Sequence, residues 1–329
     1  MTDPTRHAGA ARRDIDVLVL GEINPDVIVR AADPRPAFGQ VELMVDSIDL
    51  VIGSSSAIFA CGAARLGLRT AFVGVVGDDA LGRFMLDAMR ARGVAVESCR
   101  VDPDVPTGAS VILTSGADRA ILTAPGTMPL LRGVDIPDAL VARAGHIHVG
   151  SLFLLDALRP ALAARFAAAR QSGLTTSVDC NWDPRGTWDG GLREILRETD
   201  VFLPNAAEAT RITGTDDVEA AARALVADGP RVVAVKCGTD GALAVTRDGR
   251  VRRVPSLPVQ AVDTTGAGDS FDAGFLSGFL AGRPVGECLA LGVTAGSLST
   301  RRVGGTTAQP TLAEAEAAAR DAGLLPASE

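Results

Sequence analysis

Val262-Asp-Thr-Thr-Gly-Ala-Gly-Asp-Ser-Phe271 carries a short apolar segment into two closely spaced glycines, then directly into Asp269-Ser-Phe-Asp-Ala-Gly-Phe-Leu-Ser-Gly-Phe-Leu-Ala-Gly282. Phe271, Phe275, Leu276 and Phe279 recur at helical spacing, which predicts a helix starting at or just after the glycines. Glycines let the backbone turn its N–H groups toward one point, and the first turn of a helix leaves further donors unpaired. The helix dipole adds partial positive charge, so the place suits a phosphate or a developing oxyanion. Gly266, Ala267 and Gly268 would form this cradle, and Asp269 puts a carboxylate where a substrate hydroxyl can be held beside the anion. The plainer reading is a glycine turn with Asp269 as a helix-start residue.

Outward from this loop, residues 16–21 read as a buried strand ending at a glycine, and residues 56–67 have helical spacing. Strand-like and helix-like segments then take turns from residue 70 to residue 235, which predicts an α/β fold. Its core is a doubly wound, mostly parallel sheet flanked by helices. Two patches break the rhythm with alternating strands, near 27–50 and 94–124. Within the second, 108–114 and 119–123 face each other across Ser115-Gly-Ala-Asp118, a predicted hairpin. One small β-sheet built from both patches is expected to lie as a lid over the edge of the large one. Thr311-Leu-Ala-Glu314 is a capping box that opens a last helix over 313–322. Residues 1–13 are expected to be a disordered tail, and 14–325 one domain with the lid segments inserted in it.

Hydrophobic content of 47% with 22% charged residues in 329 is ordinary for a globular enzyme. A formal net charge of −8 argues against nucleic acid as a partner, while a local pocket can still oppose the overall sign and hold a nucleotide. The five cysteines show no Cys-x-x-Cys spacing, so neither a zinc site nor a disulfide framework is supported, and a reducing cytoplasm is the expected setting. The amino-terminus lacks an apolar core of signal length, and no run of about 18 apolar residues predicts a membrane span. His146 and His148 share one face of a strand and are expected to pack there. The run from Arg247 to Arg253 has a turn at its centre and reads as a solvated hairpin.

The glycine loop matches the Asp-Thr-x-Gly-Ala-Gly-Asp-x-Phe signature of the PfkB (ribokinase-like) carbohydrate kinases at every fixed position, and the resemblance extends over roughly residues 15–310. The family's amino-terminal signature is visible from Gly62 to Gly82; there Asp79 is expected to cap the following helix. The resemblance implies an ATP- and Mg²⁺-dependent phosphotransferase acting on an alcohol of a sugar or sugar-like compound. Asp26 would accept hydrogen bonds from sugar hydroxyls with Asn24 as its neighbour, at the carboxyl end of the first strand, where ligands of open α/β sheets bind. Asn-Pro-Asp as a simple turn is the rival there. Ser151 would line the sugar pocket, Asn181 the phosphoryl-transfer zone, and Asp183 or Arg185 the sugar or the transferring phosphate. A surface loop with a Trp anchor competes with that last assignment.

Asn205-Ala-Ala-Glu208 is similar to the family's Asn-x-x-Glu, with Glu208 meeting Mg²⁺ through water; a helix N-cap with a capping box fits the same residues. Lys236, Gly238 and Gly241 would pass beside the nucleotide, and residues 290–300, including Gly292, would pack by the adenine. Loops around Asp263 and Gly304-Gly305 can hold K⁺ through carbonyls in relatives. The chain departs from the family at 53–60, where a Gly-Gly pair is usual and an Asn follows in the helix. Here Gly53 is followed by Ser54, and Ile58 stands at the Asn position with Phe59 beside it. An amide is thereby exchanged for an apolar wall, which predicts that free ribose is a poor substrate.

On this reading Asp269, held at a helix start and so expected to have a low pKa, orients the hydroxyl and accepts its proton. The glycine-loop N–H groups meet the charge on the transferred phosphoryl. A nucleoside kinase of the same family and a non-catalytic sugar-sensing regulator remain as alternatives. A nicotinamide dehydrogenase lacks its Gly-x-Gly-x-x-Gly after Leu20. The apolar lid faces predict a homodimer.

Overall fold

The computed structural model describes residues 13–115 and 118–326; the tip of the predicted 115–118 hairpin and nearly all of the predicted 1–13 tail lie outside them. Along the chain run β1 (Ile15–Leu20), β2 (Pro25–Arg30), β3 (Ser47–Ile52), α1 (Ser55–Arg65), β4 (Thr70–Val73), β5 (Val75–Gly77) and α2 (Ala80–Arg90). There follow β6 (Arg100–Asp102), β7 (Ala109–Ser115), β8 (Asp118–Ala124), α3 (Asp138–Val141), β9 (Ala144–Val149), α4 (Arg159–Gln171), β10 (Thr175–Val178) and α5 (Leu192–Arg197). The last part holds β11 (Val201–Phe202), α6 (Ala206–Thr213), α7 (Val218–Ala227), β12 (Val232–Lys236), β13 (Ala242–Thr246) and β14 (Val251–Val254). Three helices close it: α8 (Ala267–Leu280), α9 (Val285–Ser299) and α10 (Leu312–Asp321).

Eight strands form the large sheet in the order β14-β13-β12-β11-β10-β9-β1-β4, parallel from β12 to β4 and antiparallel at the β13 and β14 edge. Both faces are covered, as near-continuous apolar strands require. Val17 and Val19 of β1 enter a core with α1, α8 and α9, while Leu18 and Leu20 enter a second core with α4 and α7. The winding reverses between β1 and β9. Ligands of open α/β sheets bind outside the strand ends at such a switch point, and here the chain places Gly21–Asp26 and Gly150–Ser151 there.

The small sheet runs β3-β2-β7-β8, with β2 and β7 parallel. Its register divides the two faces. Asp26, Ser110 and Thr123 lie on one, whereas Val27, Val29, Ile48, Leu50, Val111, Leu113 and Leu122 lie on the other. Two expectations need correction. Residues 41–46 are not strand, since Val41, Leu43 and Met44 stand in the open with no partner strand among the described residues. Residues 94–101 do not join the lid: Val94 and Val96 are buried in the main core, and β6 pairs with β5. Asp79 caps α2 through the N–H of Gly82 at 2.8 Å, and Thr311 and Glu314 close the expected capping box. His146 and His148 are buried on β9, bonded to Thr175 and Ser177, and burial pushes both imidazoles down to about 3.

Candidate active site

Gly266 sits at φ 72°, in the left-handed region, and a Cβ there would come within 2.8 Å of Gly305 Cα and of the Ile58 side chain. Only glycine fits this turn. Asp263 braces it by accepting from the Thr265 N–H and the Gly304 N–H, each at 2.9 Å, so the two glycine-bearing loops are tied together. No side chain caps the start of α8. The Ala267 N–H turns back to the Thr264 carbonyl at 3.3 Å, those of Gly266 and Gly268 are left for a ligand, and the dipole of a 14-residue helix points its positive end at them.

Asp269 lies in that turn, half-buried, and its carboxylate accepts a hydrogen bond from the Ser55 hydroxyl at the start of α1. The expected low pKa is overturned. Burial of the carboxyl among protein groups pushes it up to about 8, with Asp179 and Glu22 adding repulsion, and the Ser55 bond and Lys236 offset only part of this. The helix start is outweighed by desolvation.

Asn24 and Asp26 are both buried at the switch point, 3.4 Å apart through Asn24 Nδ2 and Asp26 Oδ1. Burial pushes Asp26 up to about 7, Arg119 of β8 pulling it back while Asp263 and Glu22 add to the rise. Arg119 reaches from the lid to the Thr265 hydroxyl at 3.2 Å, so lid and glycine loop meet over this pocket. Gly53 earns its place by contact: a Cβ would collide with the Asp26 carboxylate. Ser54 turns inward instead of facing a ligand. Its hydroxyl donates to the Glu22 carbonyl at 2.7 Å and caps α1 through the Ala57 N–H. Ser151, fully buried at φ 49°, accepts from Asn181 Nδ2 at 3.1 Å and also bonds Glu22.

Glu22 was not singled out in the sequence. It is buried between Ser54, Ser56 and Ser151, joining the ends of β1 and β9 to the first turn of α1. Burial raises its pKa. The signal that could have found it is the run Ser54-Ser55-Ser56 opposite a glutamate at a strand end.

Ile58 and Phe59 do not form the pocket wall that the sequence suggested. Ser55, Ile58 and Gly62 recur at i, i+3 and i+7 on the face of α1 that packs against α8. That phase puts the 3%-exposed Ile58 side chain under Gly266 and Gly305. Phe59 stacks on His148 at 3.8 Å in the core.

A cleft of about 440 Å³ leads from the glycine loop along Lys236, Gly238, Gly241, Leu257, Val293, Gly296 and Thr300. Gly238 (φ 59°) and Gly241 (φ 87°) make the turn after β12, and a Cβ on Gly241 would strike the Val254 carbonyl. Gly292 is corrected. It faces Phe271 in the α8–α9 contact, where a Cβ would come to 2.9 Å, whereas Val293, Gly296, Ser297 and Thr300 line the cleft. Lys236 holds buried Asp179 at 2.8 Å and buried Asp272 at 3.0 Å. Two larger depressions, of about 920 and 790 Å³, lie at helix–sheet margins lined by neither Asp269 nor the glycine loop.

Asn205 and Glu208 form the capping box: Glu208 accepts from the Asn205 N–H at 2.9 Å and its side-chain amide at 2.6 Å. Glu208 is buried and pushed up to about 7 by desolvation and by Asp179, and its ligand atoms lie within 4.8 Å of those of Asp179 and Cys180. The carboxylate oxygens of Asp179 and Glu208 suit a hydrated Mg²⁺, whereas the Cys180 thiol, kept protonated by burial, does not. Asn181 has φ 54° and donates its backbone N–H to Asp179. Asp183 is spent on its own loop, accepting from the N–H groups of Arg185, Thr187 and Trp188. Arg185 is exposed and pairs with Asp156 at 2.7 Å, and among the described residues no bond ties it to Asn24, Asp26 or Asp269. The surface-loop reading of that segment is the better one, with Trp188 packed on Phe153 and Trp182.

A helix start with open N–H donors and a carboxylate in its first turn, set between a cleft and a polar pocket at a sheet switch point, suits phosphoryl transfer, where positioning and charge stabilisation do most of the work. Residues 14–312 match the family described as pfkB family carbohydrate kinase, and the chain belongs to that family; it is an enzyme, a carbohydrate kinase. It is 35% identical over 275 residues to a fructokinase of Klebsiella pneumoniae, covering 78% of this chain and 88% of that one. Its fold is similar to an adenosine kinase of Sinorhizobium meliloti, with TM-score 0.80, 27% identity, and 94% and 99% of the two chains covered. It is also similar to Arabidopsis thaliana ribokinase complexed with ribose and ATP, with TM-score 0.80, 23% identity, and 93% and 99% covered.

Proposed function

We propose that this kinase transfers the γ-phosphoryl group of ATP to an alcohol of a sugar-like molecule held by Asn24 and Asp26. The observation that carries this reading is the position of Asp269, which shares a helix turn with the open N–H donors and contacts Ser55 at the start of α1. The acceptor oxygen forms a bond to the γ-phosphorus, the bond from that phosphorus to the β–γ bridging oxygen breaks, and its electron pair leaves on ADP. Asp269, ionised, accepts the hydroxyl proton as the oxygen attacks. Gly266 and Gly268 direct N–H groups at the charge on the moving phosphoryl, joined by Ala267 once its N–H leaves the Thr264 carbonyl.

ATP lies along the cleft from Gly241 to Gly268. Mg²⁺, when bound near Glu208 through water, supplies charge neutralisation on the phosphates. K⁺ would sit against carbonyls of the loops that Asp263 joins. The fructokinase relative supports a sugar as acceptor. Residues 14–325 act as one catalytic domain under the lid. Five free cysteines support a reducing, cytoplasmic setting. Among the described residues no helix is long and apolar enough to cross a membrane.

The lid supports a homodimer: its apolar face leaves Ile48 (66% exposed), Leu50 and Leu122 (63%) uncovered, and a second lid would cover them. A coupled ADP-release screen over sugars, sugar acids, polyols and nucleosides tests the activity. We expect one sugar or sugar acid to exceed every nucleoside in kcat/KM, and ADP release with no acceptor preference would overturn the proposal.

A further inference from the structure

The nucleotide cleft and the polar pocket meet at Gly268, and the cation at that meeting point is Lys236. Its ammonium stands 3.7 Å from where a Cβ of Gly268 would be, and its stem lines the same cleft as Ala267 and Thr264. A lysine side chain has four rotatable carbons and ordinarily wanders. This one does not: Asp179 holds it at 2.8 Å and Asp272 at 3.0 and 3.1 Å, with the two carboxylates 6% and 1% exposed. The anchors come from two other elements, the end of β10 and the second turn of α8.

One ammonium needs one carboxylate for neutrality, and here it has two. Burial drives the Asp272 carboxyl well up, Lys236 offsets part of this, and Asp179 beside it adds to the rise. The lysine donates to Asp179 and to both oxygens of Asp272. Such an ion pair is a weak source of stability, since desolvating both charges offsets most of their attraction. Its location is more telling than its energy. Asp179 also neighbours Glu208, and the ammonium acts electrostatically on both Glu208 and Asp269, lowering the pKa of each carboxyl against the rise from burial.

We infer that Lys236 is a further catalytic residue whose ammonium contacts the γ-phosphoryl group during transfer, and that Asp179 and Asp272 are positioning residues that lock it at Gly268. This rests on the phosphotransferase reading. The N–H groups of the loop bring only partial charge, whereas a fixed ammonium adds a charged donor for the equatorial oxygens even with its two carboxylates beside it. Lys236 keeps its proton throughout; Asp269 alone receives the one that the acceptor loses.

Lys236→Met, Lys236→Arg and Asp272→Asn are compared with the wild type, using the best acceptor from the ADP-release screen. Wild-type turnover comes first: a protein that phosphorylates no acceptor overturns the phosphotransferase reading and this one with it. Given turnover, we expect Lys236→Met to lower kcat by about 10²–10³, the usual worth of one preorganised donor, with KM for ATP within threefold. Lys236→Arg recovers at least tenfold of that loss. Asp272→Asn, which keeps the lysine but loosens it, lowers kcat about 5- to 20-fold, and it carries the test if Lys236→Met fails to fold. Binding of ADP with aluminium fluoride, a mimic of the phosphoryl in flight, weakens in each folded variant by the factor lost from kcat, while binding of ADP alone does not. A folded variant that loses both affinities equally, or keeps kcat within threefold, assigns Lys236 to packing and overturns the inference.

Discussion

The Ser55 hydroxyl donates to the carboxylate of Asp269, tying the first turn of α1 to the first turn of α8. One bond thus couples the segment that departs most from its family, 53–60, to the residue on which transfer depends. Ser55→Ala removes a donor to a charged acceptor, worth roughly 1–2 kcal/mol, or about 5- to 30-fold. Because the bond lowers the Asp269 pKa, its loss moves the acidic limb of the kcat profile to higher pH. Both effects should appear in steady-state rates between pH 6 and 9. An unshifted limb would show that the serine is a bystander.

Asp269→Asn should lower turnover by about 10²–10⁴, the worth of a positioned proton acceptor, while the fold and ADP binding persist. It should also change how stability follows pH. The Asp269 carboxyl sits near 8 in the folded chain and near 3.9 when unfolded, so between these values the folded state holds the extra proton. Its contribution is complete below the unfolded value and is lost as pH rises through 8. Wild-type Tm should therefore fall relative to that of Asp269→Asn between pH 5 and 9. A constant difference in Tm would contradict the assignment.

Gly266 and Gly268 are two residues apart and should respond oppositely. At Gly266 the left-handed φ and the contacts at 2.8 Å make Ala costly, about 2–4 kcal/mol of stability. At Gly268 a Cβ meets nothing closer than Lys236 at 3.6 Å, so the protein should melt within about 2 °C of wild type. The added methyl would nonetheless stand in the cleft before the open N–H groups, and ATP turnover should drop at least tenfold. Thermal melts and kinetics on the two variants settle it; equal losses of stability would mean the loop is not built as described.

Much of the fold was legible because burial on both faces leaves β1 and β12 as apolar runs, and because the turn at Gly266 tolerates only glycine. What escaped depended on contacts between distant residues. Periodicity places Ile58 on a helix face but does not say that the face meets Gly266 and Gly305, so the case against ribose built on Ile58 loses its footing. The same ambiguity of phase put Gly292 at the nucleotide when its neighbour Val293 lines the cleft. Residues 94–101 alternate like a lid strand, yet a strand's partner is decided by topology, and β6 finds β5. Lys236 finds its anchors 57 and 36 residues away, which no local pattern reports.

The lid offers the last prediction. Its register gathers Ile48, Leu50 and Leu122 on the face turned from Asp26, and all three are exposed. Taken from full exposure, an aliphatic side chain of this size favours burial by about 1.5–3 kcal/mol, and these three keep roughly half of that drive for a lid-to-lid contact. Ile48→Asp combined with Leu122→Asp puts charges into that contact without touching the main core, so the variant should be a folded monomer where the wild type is a dimer. Light scattering at several concentrations reads the difference. Turnover should fall as well, through a raised acceptor KM, because the lid also carries Arg119 to the Thr265 hydroxyl and Asp26 to the pocket. A wild type that stays monomeric at micromolar concentration would leave the apolar face without its partner and refute the dimer.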